Sequence, residues 1–105
     1  MAYTPNFAEN EPSRAEIDVL AGRVLLEFGA PWCGHCQAAQ ALIAEALADF
    51  PELQHIKIED GPGRRLGRSF RVKLWPTLVL VRSGEELGRV VRPGSPNEIR
   101  KVLVC

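Results

Sequence analysis

The chain has 105 residues, which is long enough for one compact domain and too short for two ordinary ones. Hydrophobic residues make up 46% of the chain and charged residues 25%, the balance of a globular protein rather than a disordered one. The 13 basic and 13 acidic side chains cancel, and no apolar run approaches the roughly 18 residues of a membrane span, so the sequence predicts neither nucleic acid nor a membrane as a partner.

The amino-terminal part of the chain predicts a short helix. Residues 3–7 are compatible with an edge strand, because Pro5 argues against a central one. Ser13 followed by Glu16 matches a capping box, which predicts a helix that begins there and ends near Gly22. The same segment has neither the basic nor the apolar region of a signal peptide, which predicts a cytoplasmic protein.

The next elements alternate between strand and helix. The nearly continuous apolar run of residues 23–29 is typical of a strand that is covered on both faces. Apolar residues then recur at steps of three and four over residues 33–50, which predicts a helix with one apolar face that Pro51 ends. Residues 53–59 follow as a second strand.

The carboxy-terminal half completes the pattern. We predict a short helix over residues 64–70, a strand over 77–82, and a strand over 87–91 that pairs back as a hairpin. Ser95 as an N-cap, with a proline at the first helical position, predicts a helix near the end of the chain. The order (β)αβαβαββα, without repeats or linkers, predicts one α/β domain over residues 1–105.

The chain has 3 cysteines, whereas a secreted disulfide scaffold normally has a larger and even number of them. Cys33 and Cys36 form a close pair, and Cys105 stands apart as a spare thiol. This distribution is typical of an intracellular protein whose cysteines react rather than cross-link the fold.

The Cys33–Cys36 pair falls at the start of the predicted helix. Unpaired N–H groups and the positive end of the helix dipole stabilise a thiolate at Cys33 and lower its pKa. Cys36 lies one turn further on, which brings its sulfur back towards Cys33, and Gly34 lets the chain turn tightly between them. The arrangement suits thiol–disulfide exchange, in which one thiol attacks a substrate disulfide and the second resolves the mixed disulfide.

Two other interpretations of the pair have less support. A structural zinc site needs four ligands, commonly two spaced pairs, and this chain has 3 cysteines, 2 histidines and no second C-x-x-C. His35 lies inside the short loop, where it cannot join both neighbours on one tetrahedral ion, so no metal site is predicted. Cysteines that merely fill space belong in an apolar stripe, whereas Cys33 lies at a helix start.

Two segments of the sequence resemble the motifs of one known family. Residues 25–37, LLEFGAPWCGHCQ, resemble the active-site segment of the thioredoxin superfamily, and Glu27 and His35 bring them closest to the protein disulfide isomerase version. Residues 75–77, WPT, resemble the family's cis-proline segment and precede a strand and hairpin in the family's order. The resemblance covers nearly the whole chain and implies the thioredoxin fold, a central mixed sheet flanked by helices.

The resemblance implies catalytic roles for several residues. Cys33 corresponds to the nucleophile, Cys36 to the resolving thiol, and Glu27 to a buried acid that shuttles the proton of Cys36. Lys57, on the next predicted strand, matches the family's lysine partner for that acid. Glu27 is the only charge in residues 24–28, and a buried carboxylate is costly unless it is paired or protonated. The alternative, with Glu27 at a solvated sheet edge and Lys57 on an exposed face, stays open.

The resemblance also implies a substrate groove beside the dithiol. Pro76 corresponds to the proline whose cis bond packs against the disulfide, and Trp32 to part of the rim. Simple core packing of Trp32 is a second interpretation, and the two are compatible. Trp75 stands where the family has a small or branched residue, and Arg92 stands where thioredoxins have a glycine. We expect these two residues to narrow the groove and to add charge to it.

Two further departures concern the elements that carry the dithiol. Gly29 stands where the family has an aromatic residue. Ala41 stands where relatives have a helix-kinking proline, so we expect this helix to run straighter.

The residue at position 35 affects the reduction potential that we expect for the Cys33–Cys36 couple. In its charged or donor form, the His35 imidazole stabilises the Cys33 thiolate, which favours the reduced dithiol. Thioredoxin and protein disulfide isomerase differ by about 90 mV, roughly 4 kcal/mol for a two-electron couple. We therefore predict an intermediate potential, above that of a motif with proline at this position.

The leading interpretation is a thiol–disulfide oxidoreductase that reduces or exchanges protein disulfides. It uses no cofactor besides the Cys33–Cys36 disulfide, receives electrons from a thioredoxin-reductase-type donor or from glutathione, and acts as a monomer. One alternative is a protein-binding or chaperone-like module with weak redox turnover. Another is a metal or redox-sensing domain that uses Cys33, Cys36 and Cys105.

A basic run spans ten residues without an acid, and it comprises Arg64, Arg65, Arg68, Arg71 and Lys73. A solvated surface is one interpretation, and a patch that flanks the active site and favours acidic partners is the other. The neighbouring glycines resemble a phosphate loop but lack its G-x-G-x-x-G spacing, so nucleotide binding is not predicted.

Overall fold

Helices and strands alternate along the computed structural model, which describes residues 2–104. The helices are α1 (Arg14–Asp18), α2 (Gly34–Leu47), α3 (Arg65–Ser69) and α4 (Pro96–Leu103), and the strands are β1 (Arg23–Gly29), β2 (Gln54–Glu59), β3 (Thr77–Arg82) and β4 (Glu85–Val91). The predicted order is confirmed from the first helix onward. Cys105, predicted to be a spare thiol, lies outside the described residues.

The strands form one mixed sheet in the order β2-β1-β3-β4. β1 pairs in parallel with β2 and antiparallel with β3, and β4 forms a hairpin with β3. β1 is thus an interior strand, which explains its nearly continuous apolar sequence. Glu27 lies between Lys57 of β2 and Leu78 of β3, and both charged residues are buried. The alternative that placed Glu27 at a solvated edge and Lys57 on an exposed face is therefore wrong.

Two apolar layers cover the sheet, as the alternation of side chains along β1 requires. Val24, Leu26 and Phe28 pack with α1 and α3 on one face. Leu25 packs with α2 and α4 on the other face. Glu27 has the parity of Leu25, so its side chain lies on the α2 face, beneath the helix that begins at the cysteines.

The strand predicted over residues 3–7 is absent, and the helix predicted over residues 33–50 is shorter in the structure. Residues 3–7 form no strand, and Phe7 makes a single bridge with Lys57. α2 ends at Leu47, three residues earlier than predicted, because the chain enters a turn before Pro51 and the following N–H groups bond three residues back.

The helix starts follow capping chemistry. The Ser13 hydroxyl accepts the N–H of Glu16, and the Glu16 carboxylate accepts the N–H of Ser13, so the predicted capping box is confirmed, although α1 ends well before Gly22. Ser95 caps α4 ahead of its first-turn proline, as predicted. None of the helices within residues 2–104 has the length and apolar character to cross a membrane.

Candidate active site

Cys33 lies where β1 connects to α2, at the N-cap position of the helix. Its backbone is extended there, with φ −80° and ψ 119°, and its sulfur accepts the main-chain N–H of Cys36 at 3.3 Å. Both cysteines are free thiols, and both are buried, with exposed fractions of 7% for Cys33 and 2% for Cys36. The two sulfurs therefore meet within the first turn, as the spacing predicts.

The environment of Cys33 lowers its pKa. Burial alone raises it, but hydrogen bonds from the Cys36 thiol and from the main-chain amides of Cys36 and His35 outweigh burial. The positive charge of Arg92 acts in the same direction as these hydrogen bonds. Each of these groups stabilises the thiolate relative to the thiol, so the predicted fall in the pKa of Cys33 is confirmed.

Cys36 has the opposite environment. Burial, the hydrogen bond to Cys33 and the negative charges of Cys33 and Glu27 raise the pKa of Cys36 to about 12, although a main-chain hydrogen bond with Ala30 lowers it. Cys36 thus holds its proton near neutral pH. That proton must pass to a base before the Cys36 sulfur can attack.

His35 acts on Cys33 through the main chain. The residue is exposed, and its N–H group is one of the donors that lower the pKa of Cys33. We predicted that the imidazole stabilises the thiolate, whereas the group that does so in the structure is the amide. Any residue except proline supplies this N–H.

Glu27 is fully buried beneath α2 and accepts two hydrogen bonds. His55 Nε2 lies 2.9 Å from its Oε1, and Gln40 Nε2 donates to its Oε2 at 2.8 Å. His55 Nδ1 accepts the main-chain N–H of Thr4 at 2.9 Å, so the ring proton lies on Nε2 and points at Glu27. Two donors on the buried carboxylate offset part of the cost of its desolvation.

Gln40 is held in one orientation by four partners. Its Nε2 donates to Glu27 and to the main-chain oxygen of Cys36, both at 2.8 Å. Its Oε1 accepts from the Tyr3 hydroxyl at 2.7 Å and from Lys57 Nζ at 2.9 Å. All hydrogen-bonding positions of the amide are therefore used, and no buried side-chain nitrogen or oxygen among the described residues lacks a partner.

Lys57 is connected to Glu27 through Gln40. Its ammonium group donates to Gln40 Oε1 and to the main-chain oxygen of Pro5 at 3.0 Å, and it lies 4.7 Å from the centroid of the Phe7 ring. The predicted pairing of Lys57 with the acid is therefore indirect. The direct hydrogen-bond partners of Glu27 are His55 and Gln40.

We did not predict a role for His55 or Gln40, although the alternation of a strand and the periodicity of a helix point to them. His55 precedes Lys57 by two positions on β2, so strand alternation places both side chains on the face of Glu27. Gln40 follows Cys36 by four positions on α2, which places both on one face of the helix.

Two tryptophans lie in front of the dithiol. Trp75 packs against the cysteines, and the centroid of its ring lies 5.5 Å from that of Trp32 in an edge-on arrangement. Trp32 is 72% exposed, so it belongs to the rim, and simple core packing does not describe it. The Trp75–Pro76 peptide bond is cis, as the resemblance implies.

Arg92 holds the loop that carries the proline. Its backbone has φ +48°, a left-handed conformation that glycine adopts most readily, as suits the glycine that the resemblance implies at this position. Its main-chain N–H donates to the oxygen of Pro76 at 2.9 Å, and its Nε donates to the oxygen of Trp75 at 2.8 Å. Arg92 is therefore tied to the groove, and its charge acts on Cys33.

The chemistry that these groups offer is thiol chemistry. Cys33 supplies a stabilised thiolate, Cys36 supplies a thiol within the same helical turn, and Glu27 supplies a buried carboxylate nearby. Within residues 2–104, no three or more histidine, cysteine, aspartate or glutamate side chains are grouped so as to hold a metal ion.

Comparison with known proteins decides the family. The thioredoxin family model matches residues 7–104. The chain belongs to the thioredoxin family. Thioredoxin H2-1 of Oryza sativa subsp. japonica is 35% identical to it over 80 residues, which are 76% of this chain and 57% of the rice protein. The thioredoxin of Chlamydia trachomatis serovar D is 30% identical over 85 residues, 81% of this chain and 83% of the chlamydial protein.

Solved thioredoxin structures share the fold. The reduced form of thioredoxin 2 from Pseudomonas aeruginosa PAO1 matches with a TM-score of 0.85 and 56% identity over 96% of this chain and 94% of that chain. A mutant thioredoxin from Halobacterium salinarum matches with a TM-score of 0.70 and 28% identity over 88% of this chain and 83% of that chain. The predicted thioredoxin fold is thereby confirmed. The chain spans little more than half the length of the rice thioredoxin.

Two departures from the thioredoxin pattern now have a structural setting. A Cβ atom at Gly29 would lie 2.6 Å from Cys36 Sγ, so the sulfur occupies the space that a side chain at position 29 would need. α2 is one uninterrupted helix from Gly34 to Leu47, with Ala41 exposed. That α2 is straighter than in relatives stays a prediction.

Proposed function

We propose that this chain is a thiol–disulfide oxidoreductase that reduces or exchanges protein disulfides through Cys33 and Cys36. One observation carries the proposal: two thiols in one helical turn have their pKa values pushed apart, that of Cys33 downward and that of Cys36 to about 12. A purely structural pair needs no such separation, and a binding or chaperone-like module needs none either.

The reaction has two displacement steps. The Cys33 thiolate attacks one sulfur of a substrate disulfide, which forms a mixed disulfide and releases the other substrate sulfur as a thiolate that takes up a proton. Cys36 then loses its proton and attacks the Cys33 sulfur, which releases the second substrate thiol and leaves the Cys33–Cys36 disulfide. Two electrons pass from the protein to the substrate, and an external donor returns them.

Glu27 is the proposed acceptor for the proton of Cys36. Its carboxylate is buried on the α2 face, and its charge contributes to the raised pKa of Cys36, so the two groups interact. His55 and Gln40 orient the carboxylate, and Lys57 supports Gln40. This proton transfer activates only Cys36, so the resolving thiol becomes a nucleophile separately from the attacking thiol.

Partners and location belong to the same proposal. The redox couple itself is the only cofactor proposed, the substrates are protein disulfides, and the donor is a thioredoxin-reductase-type enzyme or glutathione. A cytoplasmic location, where such donors keep thiols reduced, and a monomeric state both suit this activity. The intermediate potential expected from the CGHC sequence remains part of the proposal.

Reduction of insulin disulfides tests the proposal. Cys33→Ser is expected to abolish turnover, because no thiolate remains to begin exchange. Cys36→Ser is expected to form the mixed disulfide but to release product slowly, so that a covalent complex accumulates and is visible by mass spectrometry. Cys105→Ser serves as the matched control and should turn over like the original chain. Turnover by Cys33→Ser at the original rate would overturn the proposal.

A further inference from the structure

A groove with a basic wall is lined by Trp75 and by residues of α3 and the loops that flank it. Its volume is about 520 Å³, and its charged wall carries Arg64, Arg68, Arg71 and Lys73. We call it the basic groove. These residues belong to the basic run in the sequence, for which a solvated surface and a partner-binding patch were both open interpretations.

The charges of the basic groove are largely unneutralised. Within residues 2–104, Asp60 is the one acidic residue that lines it, and Asp60 Oδ2 accepts the indole N–H of Trp75 at 2.9 Å. Arg64 lies 3.8 Å from a carboxylate oxygen of Glu59. Among the described residues, the three remaining cations of the wall form no ion pair, and all three are exposed. A chain of zero net charge therefore concentrates positive charge here.

The basic groove reaches the dithiol through Trp75. Trp75 lines the basic groove and also packs against the cluster of Ala30, Cys33 and Cys36. Arg92 adds a further positive charge beside Trp75, since its Nε donates to the main-chain oxygen of Trp75 and its charge acts on Cys33. One side chain therefore connects the basic groove to the dithiol.

We propose that the basic groove binds an acidic segment of the protein whose disulfide Cys33 attacks. The proposal rests on the oxidoreductase function and names the class of substrate. Charge complementarity carries it, and the groove also offers an apolar wall of Pro62, Val72 and Trp75, which suits a peptide with apolar residues between its acids. A small phosphate compound would instead need converging, buried donors, whereas these cations are exposed.

Two disulfide peptides of equal length provide the test, one with Asp and Glu beside the cystine and one with Asn and Gln in their place. The groove variant is Arg68→Ser/Lys73→Ser. The matched control is Arg65→Ser/Arg82→Ser, which removes the same charge from exposed positions outside the basic groove. Reduction kinetics of each peptide then give kcat/KM for the original chain and both variants.

The expected result is a substrate-specific loss. In the groove variant, kcat/KM for the acidic peptide falls by about five- to tenfold through KM, and the neutral peptide and the control variant are unaffected. The preference of the original chain for the acidic peptide should shrink as salt rises from about 50 to 200 mM. Equal losses in both variants, or no loss in either, would overturn the proposal. Competition by inorganic phosphate at matched ionic strength would overturn it in favour of a small-anion site.

A binding measurement separates this proposal from the proposed function. Acidic and neutral peptides with serine in place of both cysteines are titrated into the original chain, and tryptophan fluorescence reports binding near Trp75. Tighter binding of the acidic peptide without reduction of either disulfide peptide would support the basic groove as a site for acidic peptides and contradict the oxidoreductase function. Reduction of both disulfide peptides without any binding preference would support the oxidoreductase function and contradict the role of the basic groove.

Discussion

The two sides of the dithiol differ in almost every physical respect. On the front, Cys33 caps a helix, beside an exposed Trp32 and the charge of Arg92. On the back, Cys36 is buried and subject to the charge of Glu27, whose hydrogen-bond partners lie 13 and 28 positions away in the chain. One sulfur is thus stabilised as an anion and the other is kept as a thiol. The difference makes the pair directional, because each sulfur is suited to one of the two displacement steps.

Selective alkylation should show the largest effect. At pH 8 we expect iodoacetamide to modify Cys33 at least about 100-fold faster than Cys36. The lowered pKa gives Cys33 a much larger thiolate fraction, whereas Cys36, with a pKa of about 12, stays protonated. As pH falls through the pKa of Cys33, its thiolate takes up a proton and its rate declines. Peptide mass spectrometry after timed quenching gives both rates.

Unfolding provides the control for this comparison. In strong denaturant both cysteines have ordinary pKa values, so their alkylation rates should converge. Similar rates for the two cysteines in the folded chain would contradict the assignment of the attacking and resolving thiols.

Removal of the His55 ring nitrogen should have the next largest effect. His55→Phe leaves Glu27 Oε1 without its donor in a fully buried position, and we expect the free energy of unfolding to fall by about 3 kcal/mol. His55→Gln retains an N–H donor of similar reach and should recover much of this loss. Urea denaturation of the reduced chains measures both. Equal destabilisation by the two variants would show that ring packing, and not the hydrogen bond to Glu27, dominates.

Substitutions at position 35 should have a moderate effect on the redox couple. His35→Pro removes the N–H that stabilises the Cys33 thiolate, so we expect the reduction potential to fall by about 30 mV, which is about 1.4 kcal/mol for two electrons. His35→Ala keeps the N–H and should change the potential little. Equilibration with glutathione gives the values. An equal fall of the potential in both variants would show that the imidazole, and not the main-chain N–H, stabilises the Cys33 thiolate.

The smallest effect is expected at Arg92. Arg92→Gly removes the positive charge near Cys33, so the pKa of Cys33 should rise, and it should rise less at high salt. Arg92→Lys retains the charge and should leave the pKa in place. The pH dependence of Cys33 alkylation measures both. Because position 92 has φ +48°, Arg92→Gly should be up to about 1 kcal/mol more stable than Arg92→Ala, which loses the same Nε hydrogen bond but keeps a side chain in the left-handed conformation; equal stability of the two variants would argue against backbone strain there.

The front of the site could be predicted from the sequence far better than the back. Cys33 and Trp32 lie in one contiguous motif, and the groove proline lies in a second, so local pattern and resemblance place them. Gln40 and His55 contact Glu27 only because β1 lies beside β2 and beneath α2, and strand order cannot be derived from local propensity. The same reason explains why Lys57 was assigned to the acid directly.

Boundaries were less predictable than elements. The proline at position 51 marks the end of the α2 region correctly, yet the turn already begins after Leu47. Residues 3–7 have the composition of an edge strand, but a single bridge from Phe7 replaces a ladder. At the end of α2, local hydrogen bonds that reach three residues back replace the helical pattern, whereas long-range bonds from Thr4 to His55 hold residues 3–7 without a ladder.

The segment from Thr4 to Ala8 packs along β2 and bonds two residues, His55 and Lys57, that hold Glu27 directly or through Gln40. Thr4 bonds both the ring and the main-chain oxygen of His55, and Ala8 donates to the main-chain oxygen of Lys57. Because these hydrogen bonds hold the strand that carries His55 and Lys57, we expect disruption of the segment to disturb the partners of Glu27 as well. A fusion tag or a protease cut at the segment is therefore expected to change the rate at which the Cys33–Cys36 couple turns over.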